Sequence, residues 1–168
     1  MNSGQMLITI AAIALIVLTI LNFNKSSLNT QENLDYNKEY ISTVTAAQSL
    51  LDEISGKAYD ENIINGASIS SALGFSSTLA PESGEVYPNF DDIDDFNNFS
   101  KKDSIMNLGI FNFKVKINYV NDNLENSSSC TYHKKVTIKV TDNTLKNPFT
   151  NKLDTIQIST VLSQWKML

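Results

Sequence analysis

The chain reads as an α+β protein: a long N-terminal helix, membrane-spanning at first and amphipathic afterwards, packed on a small antiparallel β-sheet. Three observations carry that reading. No charged side chain precedes Lys25, and Met6 to Leu21 is apolar throughout except for Thr9 and Thr19. From Asn24 to Ser55 neither proline nor glycine interrupts the chain, and apolar residues recur at helical spacing. From Ile105 onward the pattern changes to period two.

A spanning helix needs about 20 predominantly apolar residues, and Gln5 to Phe23 is of that length. A secretory signal peptide carries basic residues ahead of a shorter apolar core and a small-x-small cleavage site behind it. Here MNSG precedes the run and Asn22-Phe23-Asn24-Lys25 follows it, so the segment is expected to stay with the protein. In the next stretch Leu34, Ile41, Val44, Leu51 and Ile54, with Tyr40 and Ala47 beside them, fall on one stripe. Glu32, Asp35, Lys38, Glu39, Gln48 and Asp52 occupy the other face. Gly56 follows the last periodic residue, where helices commonly stop. One continuous helix of about 50 residues, roughly 75 Å long, is expected. The alternative is a break at Asn22 to Ser27, where asparagine and serine are weak helix formers.

Residues 5–24 are therefore the membrane-spanning half of the helix, 25–55 its amphipathic half, and 56–168 a globular β-sheet domain with 105–166 as the strand meander. Once an anchor is set aside, the chain has the length of one domain. The formal net charge is −5, with 13 basic residues, all lysine. A nucleic-acid partner is not expected, since a basic patch with bidentate arginines is the usual footprint. Cys130 is the single cysteine and cannot form an internal disulfide.

Residues 57–104 mix Asn, Ser, Gly and Asp with short apolar pieces, and Pro81 and Pro88 act as breaks. A short helix is expected over Asn62 to Leu73. Beyond that, Phe111, Phe113, Val115, Ile117 and Tyr119 alternate with Asn112, Lys114, Lys116 and Asn118, the pattern of a half-buried strand. In Tyr132 to Thr141, Val136, Ile138 and Val140 face one way and Lys135, Thr137 and Lys139 the other. Thr155 to Trp165 alternates Ile156, Ile158, Thr160 and Leu162 with Thr155, Gln157, Ser159 and Ser163. The polar linkers Asn121 to Ser129 and Asp142 to Lys152 have hairpin-loop length, so an antiparallel meander follows. Its apolar face needs a cover, which the amphipathic half of the helix supplies through Val44, Leu51 and Ile54.

A short leader ending in Gly4, an apolar helix begun at once, its amphipathic continuation and a three-stranded antiparallel sheet resemble type IV pilins and the pseudopilins of type II secretion systems. The resemblance covers the whole length as architecture and residues 4–23 as motif. It implies that residues 1–4 are a leader removed by a prepilin peptidase after Gly4. Gln5 would then be the mature N-terminus, usually N-methylated. It further implies a single-pass membrane protein with an exported C-terminal domain, which leaves the membrane to form a homo- or hetero-polymer with other pilin-like subunits. Such a filament stands at the cell surface or in the periplasm. The chain departs from the family pattern in three places: MNSG carries no basic residue, Gln5 replaces the common phenylalanine or methionine, and Thr9 stands where most members have glutamate. That glutamate is thought to neutralise a neighbouring subunit's terminal amine, and a buried carboxylate without a partner costs several kcal/mol. Thr9 carries no such cost, because its hydroxyl can bond the Gln5 carbonyl one turn back. It thereby removes one contact that sets assembly register.

Tyr87 to Phe99 reads YPNFDDIDDFNNF. Asp91, Asp92, Asp94 and Asp95 are a candidate calcium or subunit-docking loop, because calcium takes several oxygen ligands at once. The run lacks the spacing and central glycine of an EF-hand loop. Calcium is the one cofactor considered. Lys114, Lys116, Lys135 and Lys139 share the outward face of adjacent strands and are candidate docking lysines, able to orient an acidic partner surface. Catalysis is not expected. Cys130 and His133 are by type a nucleophile and a base, but their spacing on one strand points them to opposite faces. No phosphate-binding glycine loop or His/Cys metal pattern occurs. The expected function is that of a structural filament subunit. The alternative is a monomeric, membrane-anchored binding or accessory domain that never polymerises.

Overall fold

The computed structural model describes residues 2–105 and 109–164. Helix α1, Ser3–Ser55, runs unbroken for 53 residues, roughly 80 Å at 1.5 Å per residue. It passes straight through Asn22 to Ser27, so the alternative of a break is not realised. No proline or glycine interrupts this stretch, and hydroxyls that could compete with the backbone bond back one turn instead. Thr9 Oγ1 donates to Gln5 O at 2.8 Å, Thr19 Oγ1 to Leu15 O at 2.8 Å and Thr30 Oγ1 to Ser26 O at 2.9 Å. The backbone N–H of Gly56 closes the last turn on Asp52 O and Glu53 O.

The sheet has four antiparallel strands in the order β1-β2-β3-β4. They are β1 Ser100–Ile105, β2 Gly109–Tyr119, β3 His133–Lys146 and β4 Leu153–Ser163. Two corrections to the sequence reading follow. The sheet gains β1, whose sequence SKKDSI carries no alternation because an edge strand with polar side chains on both faces has none to show. The stretch from Asp142 also continues β3 rather than opening a loop: Asp142 keeps the inward phase of Val136, Ile138 and Val140, and an irregularity in the register between Thr141 and Lys146 shifts the phase so that Leu145 is buried as well. The hairpin loop shrinks to Asn147–Lys152, closed by Asn147 N–H to Lys152 O at 2.9 Å. Trp165, expected at the end of β4, lies outside the described residues.

Register brings the inward rows into line. Phe113 faces Val140 and through it Ile156; Val115 faces Ile138 and Ile158; Ile117 faces Val136 and Thr160. Tyr119 faces Lys134 at the end of that face. Gly109, which opens β2 at φ +122°, is the glycine the packing requires. A Cβ there would meet a carboxylate oxygen of Asp142 at 2.8 Å.

The C-terminal part of α1 covers the inward face, over β3 and β4, and is fixed upstream by a 2.6 Å hydrogen bond from Tyr36 Oη to Asp154 Oδ2. Its buried residues are Thr43, Ala47, Leu50, Leu51 and Ile54. The stripe therefore differs from the expected one: Leu34, Tyr40 and Ile41 are exposed and Val44 is half-buried. The helix carries two neighbouring apolar rows, and the sheet takes the one whose small residues, Thr43 and Ala47, allow close approach. The expected helix over Asn62 to Leu73 reduces to α2, Glu61–Ile64, and a 3₁₀ turn at Ala72–Gly74, because Gly66 at φ +73° turns the chain between them.

These placements separate two residues that sequence alone treats alike. Leu51→Asp puts an unpaired charge in the core and is expected to lower stability by several kcal/mol, whereas Ile41→Asp should change it by about 0.5 kcal/mol or less. Denaturation of the full chain in detergent, followed by near-ultraviolet circular dichroism, reads both. Equal losses would contradict the helix orientation.

Candidate functional site

Two regions hold the residues singled out by sequence. The first is the N-terminal half of α1. Every described residue up to Glu32 is exposed, and an 18-residue window of mean hydropathy 2.6 has none of its surface buried inside the protein. By length and composition this helix can cross a membrane. Gly4 lies in its first turn with nothing within 4 Å of where a Cβ would stand. Gln5 offers its carbonyl to Thr9, so that hydroxyl is satisfied within its own helix.

The second region is built around the aspartate run. Backbone pairing draws two distant segments together: Ala58 N–H donates to Asp91 O at 3.2 Å, and Ile93 N–H to Ala58 O at 2.9 Å. Asp92 and Asp95 then cap each other's backbone. Asp92 Oδ1 accepts from the N–H groups of Asp94 (2.6 Å) and Asp95 (3.2 Å), and Asp95 Oδ2 accepts from those of Asp91 (3.0 Å) and Asp92 (3.2 Å). The spacing of the run is thus the spacing of a reciprocal cap, and it starts the 3₁₀ turn Asp94–Phe96. Phe90, Ile93 and Phe96 fill the core beneath it, with Phe90 and Phe96 ring to ring at 5.0 Å.

Asp92, Asp94 and Asp95 are buried; Asp91 alone is exposed and free to meet another molecule. The run therefore serves mainly its own chain, drawn inward by Lys134. That lysine is wholly buried, with Nζ 2.5 Å from Asp94 Oδ1, 3.1 Å from Asp60 Oδ2 and 2.6 Å from Tyr59 O. The rings of Tyr59 and Tyr119 flank it at 4.4 and 5.2 Å. Sequence reasoning passed over Lys134 and Asp60. Lys134 carried a signal, for it shares the phase of Val136; Asp60 carried none. Burial pushes the Asp94 carboxyl up to about 7 against the opposing Lys134 ammonium. Burial, aided by Asp95, lifts Asp92 to about 6.

Carboxylate oxygens of Glu85, Asp91 and Asp95 also lie within 4.8 Å of one another, as do those of Glu61, Glu82 and Glu85. Oxygens across a calcium ion at 2.3–2.6 Å would be separated by about that distance. Asp95 Oδ1 is buried there without a hydrogen-bond partner among the described residues. Of the four aspartates considered for calcium, Asp91 and Asp95 belong to such a group, while Asp92 and Asp94 do not. Partial desolvation and a hydrogen bond with Glu85 push Glu82 up to about 7.

Lys114, Lys116 and Lys139 are exposed and Lys135 half-buried on the sheet face away from α1, with Lys114 directly opposite Lys139. Lys102 of β1 joins this face. Cys130 and His133 take separate partners: Cys130 Sγ approaches Phe75 O at 3.6 Å, while His133 Nδ1 meets Ser163 Oγ at 2.7 Å and its Nε2 lies 3.4 Å from Asp122.

Comparison of the chain with known protein families, with curated proteins and with solved structures finds no match. Architecture and residues carry the functional reading.

The acidic cluster has a consequence for pH. Because the folded pKa of Asp92 lies above that of an unfolded aspartate, near 3.9, the native state holds the proton more tightly. Its stabilisation is full below about pH 4 and is lost as pH rises through about 6, by at most about 1.4 kcal/mol per unit. Denaturation of wild type and Asp92→Asn between pH 4 and 8 should show the slope over this window reduced in the variant. Parallel curves would contradict the assignment.

Proposed function

We propose that the chain is a structural subunit of a type IV pilus-like or pseudopilus filament, stored in the membrane through α1 and polymerised through the same helix after leader cleavage. One observation carries this reading: a single rigid helix is wholly exposed and apolar along its first half and welded to a sheet along its second. A membrane anchor needs only a span. A helix continuous from span to domain fixes the domain's direction relative to the apolar half, which regular stacking requires.

In this reading Met1 to Gly4 is the leader, Gln5 the processed and methylated terminus, and the domain from Gly56 is exported to the cell surface or periplasm. Partners are the prepilin peptidase and further pilin-like subunits. Thr9, with its hydroxyl already bonded, contributes no charge to register, so apolar packing of the helix sets it. The lysine face of the sheet and the exposed Asp91 are the polar surfaces left for docking between subunits. That missing charge is also what favours the alternative, an anchored accessory domain that stays monomeric.

Gly4 separates the two. A side chain there has open space in the folded chain, so Gly4→Phe should fold normally and fail only where a peptidase groove must accept it. Mass spectrometry of the native protein should find Gln5 as a methylated terminus in the wild type. The variant should remain full length in the membrane and be absent from sheared surface fractions. Filaments formed by uncleaved Gly4→Phe would overturn the filament reading in this form, and a wild type that retains Met1 would favour the monomeric domain.

A further inference from the structure

The cluster around Lys134 holds one amine and two carboxylates in a site without solvent, and the carboxylates are unlike. Asp60 is saturated with donors. Its oxygens accept from Asn62 N–H at 3.2 Å, Ser76 N–H at 3.1 and 2.9 Å and Ser76 Oγ at 3.1 Å, while Tyr119 Oη, which donates to Ser76 O at 2.8 Å, lies 3.3 Å away. Asp94 is fully buried, and neither of its oxygens has a hydrogen-bond partner among the described residues; the lysine Nζ stands 2.5 Å from Oδ1. Asp60 is thus held by donors on both of its oxygens. Asp94 is arranged as a bare carboxyl held against a nucleophile.

We propose that Lys134 and Asp94 become joined by an intramolecular isopeptide bond, formed by the folded domain itself with Asp60 carrying the proton. The ammonium first passes a proton to the Asp94 carboxylate, leaving a neutral amine beside a neutral acid. The Nζ lone pair attacks Cγ of Asp94, the Nζ–Cγ bond forms, and the proton shed by nitrogen moves to Asp60 Oδ2, 3.1 Å away. Asp60 returns that proton to a hydroxyl on Cγ, the Cγ–O bond breaks and water leaves. One ammonium and one carboxylate become one amide and one water, with no redox partner required. Holding the reactants in contact raises their effective concentration to about 10⁵–10⁸ M for well-oriented groups. Burial favours the neutral pair over the ion pair, and departure of water from a dry site opposes the reverse reaction. The charge that remains, on Asp60, is the one already met by three donor groups, Asn62 N–H, Ser76 N–H and Ser76 Oγ. The bond ties β3 to the turn at Asp94–Phe96 in a domain whose single cysteine allows no disulfide.

Intact mass spectrometry of the purified full chain, with its N-terminus assigned separately, tests this. The wild type should be lighter than its sequence by one water, and a digest should yield one branched peptide containing Lys134 and Asp94. Asp94→Asn should form the same bond with loss of ammonia instead of water, while Asp94→Ala should carry its unlinked mass. Asp60→Ala should leave the bond unformed or far slower, and linkage at the wild-type rate in that variant would remove Asp60 from the reaction. An unmodified mass in folded wild type, or a water loss confined to a linear peptide within 91–95, would overturn the proposal.

Discussion

An ammonium group cannot be left alone in a protein interior, and the side chain of Lys134 has no exposed surface. Everything around it answers that constraint. Asp60 closes on it from the start of α2 and Asp94 from the 3₁₀ turn. Lys134 Nζ also donates a hydrogen bond to the Tyr59 carbonyl. This centre adds ion pairs to the backbone pairing of Ala58 with Asp91 and Ile93 and to the aromatic packing that hold the irregular stretch between α1 and β1. Removing one partner of a buried ion pair typically costs about 3–5 kcal/mol because a charge is left uncompensated. The acidic run is therefore an internal fastener, and its four aspartates divide the labour: two cap the turn, one meets the lysine, and Asp91 faces outward.

The helix imposes the second constraint. Its apolar half buries nothing within the protein, so its stability in isolation depends on a non-aqueous surrounding, whether lipid or neighbouring helices. Its other half is committed to the sheet through Ala47, Leu50, Leu51 and Ile54. A rod so divided transmits orientation from one environment to the other without a hinge. The exposed row Leu34 and Ile41 is left uncovered and extends the apolar surface past the spanning segment.

Long periodic patterns were legible and short exceptions were not. The helix, β2, the first part of β3 and β4 follow from spacing, because each buries one face and leaves the other wet. Strand β1 was illegible because an edge strand flanked by polar residues has no apolar face to report. The wrong helix row was chosen because apolar residues occupy neighbouring rows, and only the sheet's shape selects between them. Lys134 is hard to see for a different reason: its charge argues for solvent, although alternation from Val136 places it inward. Asp60 pairs with it across 74 positions of sequence, a distance over which no local pattern speaks.

Hydrogen exchange of the full chain in detergent tests most directly whether Lys134 is the centre on which the loop segment depends. In Lys134→Met, the amides that join the two segments, Ala58 and Ile93, should exchange roughly a hundred- to a thousandfold faster than in wild type. Those of β2 and β3 between Phe113 and Val140 should keep most of their protection. Unchanged exchange at Ala58 and Ile93, or an equal loss across the whole sheet, would contradict the account.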